Sequence, residues 1–156
     1  MPVLSSLFKI LIVGPRGSGK SSLLCRMVFD SYGDCSIGTG QFYRTNPIPL
    51  DGKTVTLLLK EVNVLPTSEK TAGFIVVLDS NNELDFNQLP SILEMVGDKK
   101  IIIAINKSDL HYSASFWIED ILKVLGNKKI QVIPVSAKNG ENIKQLQEAT
   151  AKMVVS

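Results

Sequence analysis

No run of lysines or arginines appears in this 156-residue chain, and 17 basic against 15 acidic side chains leave a formal net charge of +2. A nucleic-acid-binding face needs a basic patch, so no nucleic-acid partner is expected. No apolar stretch is long enough to span a bilayer. The opening Met1-Pro2-Val3-Leu4 lacks the charged and apolar regions of a signal peptide. Proline at position 2 is incompatible with N-myristoylation, and the closing Met153-Val154-Val155-Ser156 has no cysteine for prenylation. These ends predict a soluble, cytoplasmic protein with no direct lipid anchor. Cysteine is scarce: Cys25 and Cys35 have neither metal nor redox spacing and are expected as reduced thiols. No internal repeat, low-complexity tract or linker interrupts the chain.

What is present is an ordinary globular composition, 44% apolar and 21% charged, of a length that suits one domain over residues 1–156. Short apolar runs alternate with amphipathic segments, the pattern of an α/β domain with a mostly parallel sheet. Strands are expected over Leu7 to Val13, Thr54 to Val62, Phe74 to Leu78, Ile101 to Ile105 and Gln131 to Val135. Phe42 to Leu50 reads as an edge strand, because Pro47 and Pro49 forbid a central position, and Asp51-Gly52 is a hairpin turn. Helices are expected over Lys20 to Asp30, Phe86 to Val96, Ser115 to Leu125 and Glu141 to Met153.

Gly14-Pro15-Arg16-Gly17-Ser18-Gly19-Lys20-Ser21 fits G-x-x-x-x-G-K-S in full between the first strand and the first helix. Glycines let backbone N–H groups wrap a phosphate, and the helix N-terminus adds positive potential. Lys20 can reach the β- and γ-phosphates, and the Ser21 hydroxyl can ligate Mg²⁺. Gly14, Arg16, Gly17, Ser18, Gly19, Lys20, Ser21 and Ser22 are therefore candidate nucleotide-binding residues. The fold this implies is the three-layer P-loop NTPase fold: a mostly parallel six-stranded sheet with one antiparallel edge strand and helices on both faces.

Asn106-Lys107-Ser108-Asp109 and Ser136-Ala137-Lys138 follow two successive strands, at the edge where open α/β sheets bind ligands. The Asp109 carboxylate can accept both N1–H and N2–H₂ of guanine, whereas adenine has no donors in that arrangement and would leave the acid unpaired. With the P-loop, these segments resemble the N-K-x-D and S-A-K motifs of Ras-like small GTPases of the Ras and Rab type, and the resemblance covers essentially the whole chain. It implies that Asn106 braces the loop and meets the base edge, that the stem of Lys107 covers the base, and that the Ala137 N–H meets the guanine oxygen, with Ser136 and Lys138 completing that loop. It also implies GTP and GDP as ligands with Mg²⁺, and a protein effector or regulator as partner. Tyr32 falls where the family carries an aromatic that packs on guanine. Phe29 is either a second candidate for that stacking role or, the preferred reading, a core residue. Thr39 falls where the family's first switch supplies a threonine to Mg²⁺ and the γ-phosphate, so Ser21 and Thr39 are the expected metal ligands.

The sequence departs from the family in its catalytic half. Where D-x-x-G and a glutamine are expected it reads Glu61-Val62-Asn63-Val64-Leu65. Glu61 keeps the charge of the Mg²⁺-associated acid with one more methylene. Val64 restricts the backbone where glycine would meet the γ-phosphate. Leu65 cannot orient a water as the family's glutamine does. The stretch from Leu65 to Gly73 leaves little room for a second-switch helix. No residue is assigned as catalytic: Arg16 either projects into solvent, blocks an external arginine finger or supplies charge itself, and Glu69 is a second possible rescuer. His111, the only histidine, lies beyond the base motif and is expected on the surface. Two readings follow, a guanine-nucleotide switch with slow or impaired hydrolysis, or a non-hydrolysing pseudo-GTPase that acts as a protein scaffold. An ATP-dependent enzyme is disfavoured by the Asn106 to Asp109 motif.

Overall fold

The computed structural model describes residues 4–33, 35, 37, 38, 40–63 and 69–156. Strand β1 (Leu4–Val13) runs into the glycine-rich loop and helix α1 (Lys20–Phe29). Strands β2 (Tyr43–Arg44), β3 (Ile48–Leu50), β4 (Lys53–Glu61) and β5 (Gly73–Asp79) precede helix α2 (Glu83–Val96). Strand β6 (Ile101–Asn106), a 3-10 turn over Ser108–Ser113, helix α3 (Ile118–Leu125), strand β7 (Gln131–Pro134) and helix α4 (Ile143–Val155) complete the chain.

The sheet order is β2-β4-β1-β5-β6-β7, with β3 also on β4. Strands β4, β1, β5, β6 and β7 are parallel, and β2 and β3 are antiparallel to β4. The expected single edge strand is thus delivered in two pieces. Register explains the break: Arg44 pairs with Leu58 but Ile48 pairs with Val55, so one extra residue bulges out between them. Pro47 has no N–H for the ladder; at the bulge the Thr45 N–H still donates to the Leu57 carbonyl at 2.9 Å, while the Thr45 hydroxyl stands in for its carbonyl and accepts the Leu57 N–H at 3.1 Å.

Alternate strand residues feed two cores. Ile10, Ile12, Leu57, Leu59, Ile75 and Val77 pack under α1 and α4, while Leu11, Val13, Val76, Leu78, Ile103 and Ile105 pack under α2 and α3. Helices cover both faces, as expected of the three-layer fold. The Asn82 side chain caps α2 by accepting the Leu84 N–H at 3.0 Å, and Pro90 sits inside that helix.

Three sequence expectations need correction. The helix expected over Ser115 to Leu125 begins only at Ile118, because Trp117 is extended and caps it, its N–H accepted by the Asp120 carboxylate at 2.8 Å. Phe29 is not a core residue: it is 55% exposed at the end of α1 and meets Tyr43 edge-on with ring centroids 6.2 Å apart. Cys25 and Cys35 are not free thiols but a disulfide, their Cα atoms 6.0 Å apart. The loop after α1 folds back over the helix, a proximity that a ten-residue spacing does not announce.

Candidate nucleotide-binding site

The site lies along the carboxyl ends of β1, β4, β5, β6 and β7. Where β1 ends, the loop approaches its neighbours too closely for side chains. A Cβ on Gly14 would stand 2.2 Å from the Val77 carbonyl oxygen, and one on Gly19 would stand 2.1 Å from Asn106 Nδ2. Gly19 also holds φ 98°, a left-handed conformation that places the N-terminus of α1 against the loop. The glycines thus bring the phosphate loop into contact with the strand that carries Asn106.

Lys20, at the first turn of α1, is 5% exposed. Its ammonium donates to the carbonyls of Gly14 at 2.8 Å and Pro15 at 3.1 Å, leaving its third donor for a ligand. Burial pulls the Lys20 pKa below the ordinary lysine range, opposed by the negative charges of Glu61 and Asp85. A phosphate here would meet a desolvated cation. Lys20 opens on a cavity of about 500 Å³ walled by Gly14, Arg16, Gly17, Glu61 and Asn63. Arg16 thereby lines the phosphate end of the site while remaining exposed. Ser18 is fully buried within the loop, so only its backbone is offered.

The carboxylate of Glu61 faces the same loop, accepting the Ser21 hydroxyl at 2.5 Å. Both are hard oxygen donors of the kind Mg²⁺ takes at about 2.0–2.1 Å, and Mg²⁺ is commonly held by one or two carboxylates plus phosphate oxygens. The pair fits that ion. The extra methylene of Glu61 carries its carboxylate all the way to Ser21. Thr39, the other expected ligand, and Val64 and Leu65 of the second switch lie outside the described residues. Glu69 does not approach the phosphate end: it pairs with Lys60 at 2.5 Å, and Lys60 lies over the Phe42 ring. Along β4, Lys60 points opposite to Leu59 and Glu61, so this pair occupies the other face of the sheet.

The second half is a cavity of about 260 Å³ lined by Gly19, Ser22, Tyr32, Asn106, Lys107, Asp109, Leu110, Ala137 and Lys138. Asn106 ties three segments together: its Nδ2 donates to the Ser18 carbonyl at 3.1 Å, and its Oδ1 accepts the N–H of Lys107 at 2.9 Å and of Ala137 at 3.2 Å. Asp109 accepts the Ser136 hydroxyl on one oxygen at 2.8 Å; the buried Ser136 acts by orienting that acid. Lys107 adopts φ 68°, and its ammonium bonds Asp79 at 2.8 Å, so its stem is held along the cavity wall. Tyr32 lines the cavity at 48% exposure, whereas Phe29 lines a different cleft beside Pro47. His111 is exposed and packs against Trp117 at a tilt of 31°, ring centroids 4.0 Å apart.

Two residues of the site carry no motif. Asp79 could have been found as an acid at the end of β5, in register with Asn106. Asn63 stands beside Glu61 at the phosphate cavity, and no local pattern marks it.

A sequence model of the Ras family matches residues 9–156. The chain is 29% identical to the GTP-binding protein YPTM2 of Zea mays, over 98% of this chain and 82% of that protein. It is 29% identical to the Ras-related protein RABD2a of Arabidopsis thaliana, over 92% of this chain and 78% of that protein. Against the Ras-related protein Rab-1 of Theileria parva the identity is 28%, over 94% and 73%.

Proposed function

The chain belongs to the Ras family, and from that premise we propose a cytoplasmic guanine-nucleotide-binding protein that hydrolyses GTP slowly and presents its nucleotide state to a protein effector or regulator. One observation carries the base reading. Asp109 and Ala137 border one cavity directly beside the phosphate loop: the acid offers the acceptor that guanine complements and adenine does not, and the Ala137 N–H, held by Asn106 Oδ1 at 3.2 Å, is the donor that would turn to guanine's oxygen. Lys20 and the loop N–H groups hold the phosphates, and Tyr32 and the Lys107 stem cover the base. Ser21 and Glu61, with Thr39, hold Mg²⁺, whose charge offsets that of the β- and γ-phosphates.

Hydrolysis needs a positioned water and stabilised charge. Arg16 supports the second requirement from the wall of the phosphate cavity. The first is poorly served. Leu65 has no group that bonds a water, and Glu69 is committed to Lys60. Among the described residues, Asn63 is the one carboxamide on the cavity wall, but its side chain is shorter than glutamine's. Two measurements test this. In competition against labelled GDP, GTP should displace and ATP should not; equal displacement by ATP would overturn the base assignment. Single-turnover hydrolysis without a partner should run at or below the order of about 3–5 × 10⁻⁴ s⁻¹ of intrinsic Ras turnover. A clearly faster rate would remove the slow-hydrolysis half, and no turnover at all would leave the scaffold reading.

A further inference from the structure

Arg26 lies in the last turn of α1, on the helix that begins at the phosphate loop. Its guanidinium reaches across to the loop that follows β7. Nε donates to the Ala137 carbonyl at 2.9 Å and Nη2 to the Lys138 carbonyl at 2.6 Å. Nη1 turns back to the helix end, to the Asp30 carbonyl at 3.2 Å and its carboxylate at 3.3 Å. The Arg26 side chain is only 14% exposed while that of Asp30 is 92% exposed. The ion pair therefore contributes little, and the strong contacts are the charge-assisted bonds to the two carbonyls.

Those carbonyls belong to the residues that meet the base. Ala137 is held at both polar ends, its N–H by Asn106 Oδ1 and its carbonyl by Arg26 Nε. Two such bonds fix the peptide planes on either side of Ala137; to meet guanine's oxygen its N–H must be shared with or released by Asn106 Oδ1, and the Arg26 bond to the carbonyl is the one that holds the loop in place when it does. The planar fork of a guanidinium can bridge successive carbonyls in a way an ammonium cannot. We propose that Arg26 is a positioning residue for base selection: it orients the Ala137 N–H from α1 and thereby contributes to the preference for 6-keto purines over adenine. This deepens the proposed function and rests on it.

The bonding pattern also ties together the phosphate helix, the base loop and the start of the segment that carries Tyr32.

The test compares wild type, R26A and R26Q for binding of GDP, IDP, ADP and inorganic tripolyphosphate. In R26A, GDP and IDP should both weaken at least tenfold and in equal proportion, because both carry the keto oxygen. The GDP-to-IDP ratio, set by Asp109 and the exocyclic amine, should not move. ADP should not weaken, so the GDP-to-ADP ratio should drop by the same tenfold. Tripolyphosphate, which reads only the phosphate loop, should bind as before. R26Q, with one donor for the Ala137 carbonyl, should recover part of the loss. Unchanged GDP binding in R26A would overturn the proposal. So would a fall in tripolyphosphate binding equal to that of GDP, which would make Arg26 a structural support of α1. A wild type that binds ADP as well as GDP would instead remove the base-site reading on which the proposal stands.

Discussion

Asp85 has no place in any nucleotide-binding motif, yet it is 1% exposed on α2 and accepts the Asp79 N–H at 2.7 Å. Burial raises its pKa above the ordinary aspartate range; the Asp79 amide works against this, Asp79's charge adds to it, and Lys20 and Lys107 oppose it. For an acid whose folded pKa is raised, the folded chain binds the proton more tightly than the unfolded one. Its contribution therefore favours folding at low pH and is lost as pH rises from about 4 through the raised value. Asp85→Asn keeps an oxygen for the Asp79 amide and removes the buried charge. At fixed saturating GDP, the variant should melt above wild type at pH 7. The gap should close as pH falls toward the ordinary aspartate range. Thermal scans across that range check it, and a gap independent of pH, or a variant less stable at pH 7, would contradict the account. Asp85 was invisible in sequence because its role depends on burial beneath another strand's end. Asn106 and Asp109 were legible because their motif is contiguous and their strand places them directly.

Elements were read well where their signal is local and less well where a long-range contact decides. The strands β1, β4, β5, β6 and β7 declare themselves as short apolar runs bounded by turn residues. Pro47 correctly marked an edge, but the extra residue that splits β2 from β3 is a matter of register against β4 and leaves no trace in composition. Phe29 continues the apolar run of α1 in sequence, yet the helix ends there, with Asp30 at φ 52°, and only the edge of Tyr43 meets the ring. The disulfide is the clearest case. It joins Cys25, 2% exposed on α1, to Cys35 in the loop beyond Tyr32, and so fastens the start of the first-switch segment to the phosphate helix. Closing a loop of ten residues contributes about 2–3 kcal/mol in the chain-entropy account. Reduction should lower the melting temperature by roughly 5–10 °C, and alkylation should find no free thiol before reduction and two per chain after it. Two free thiols in the unreduced native protein, with the same melting temperature, would show that the bond does not form in solution.

Across the whole molecule, two cores grip one sheet from opposite faces, and the nucleotide site sits where five strands end. Such a frame can switch only through loops that the γ-phosphate orders and its loss releases. The energy available is the difference in contacts between the two states; a ligand that binds both equally shifts nothing. On the first-switch side, the disulfide already restrains the segment in either state. On the other side, the second-switch segment is fastened to the sheet at both ends. The Val62 N–H bonds the Ile12 carbonyl at 2.9 Å, and beyond Glu69, paired to Lys60, the Ala72 N–H and the Thr71 hydroxyl bond the Lys9 carbonyl at 2.8 and 3.0 Å. Few residues separate these anchors, and the family resemblance sets Val64, which lies outside the described residues, against a glycine of the family. The GDP and GTP states should therefore differ little. Hydrogen exchange on wild type loaded with GDP or with a non-hydrolysable GTP analogue reads this directly. The expected outcome is near-identical uptake across residues 66–73, with any difference confined to the segment around Thr39. Strong protection of residues 66–73 by the analogue alone would mean that the second loop still contributes substantial differential energy, and that the short connection switches after all.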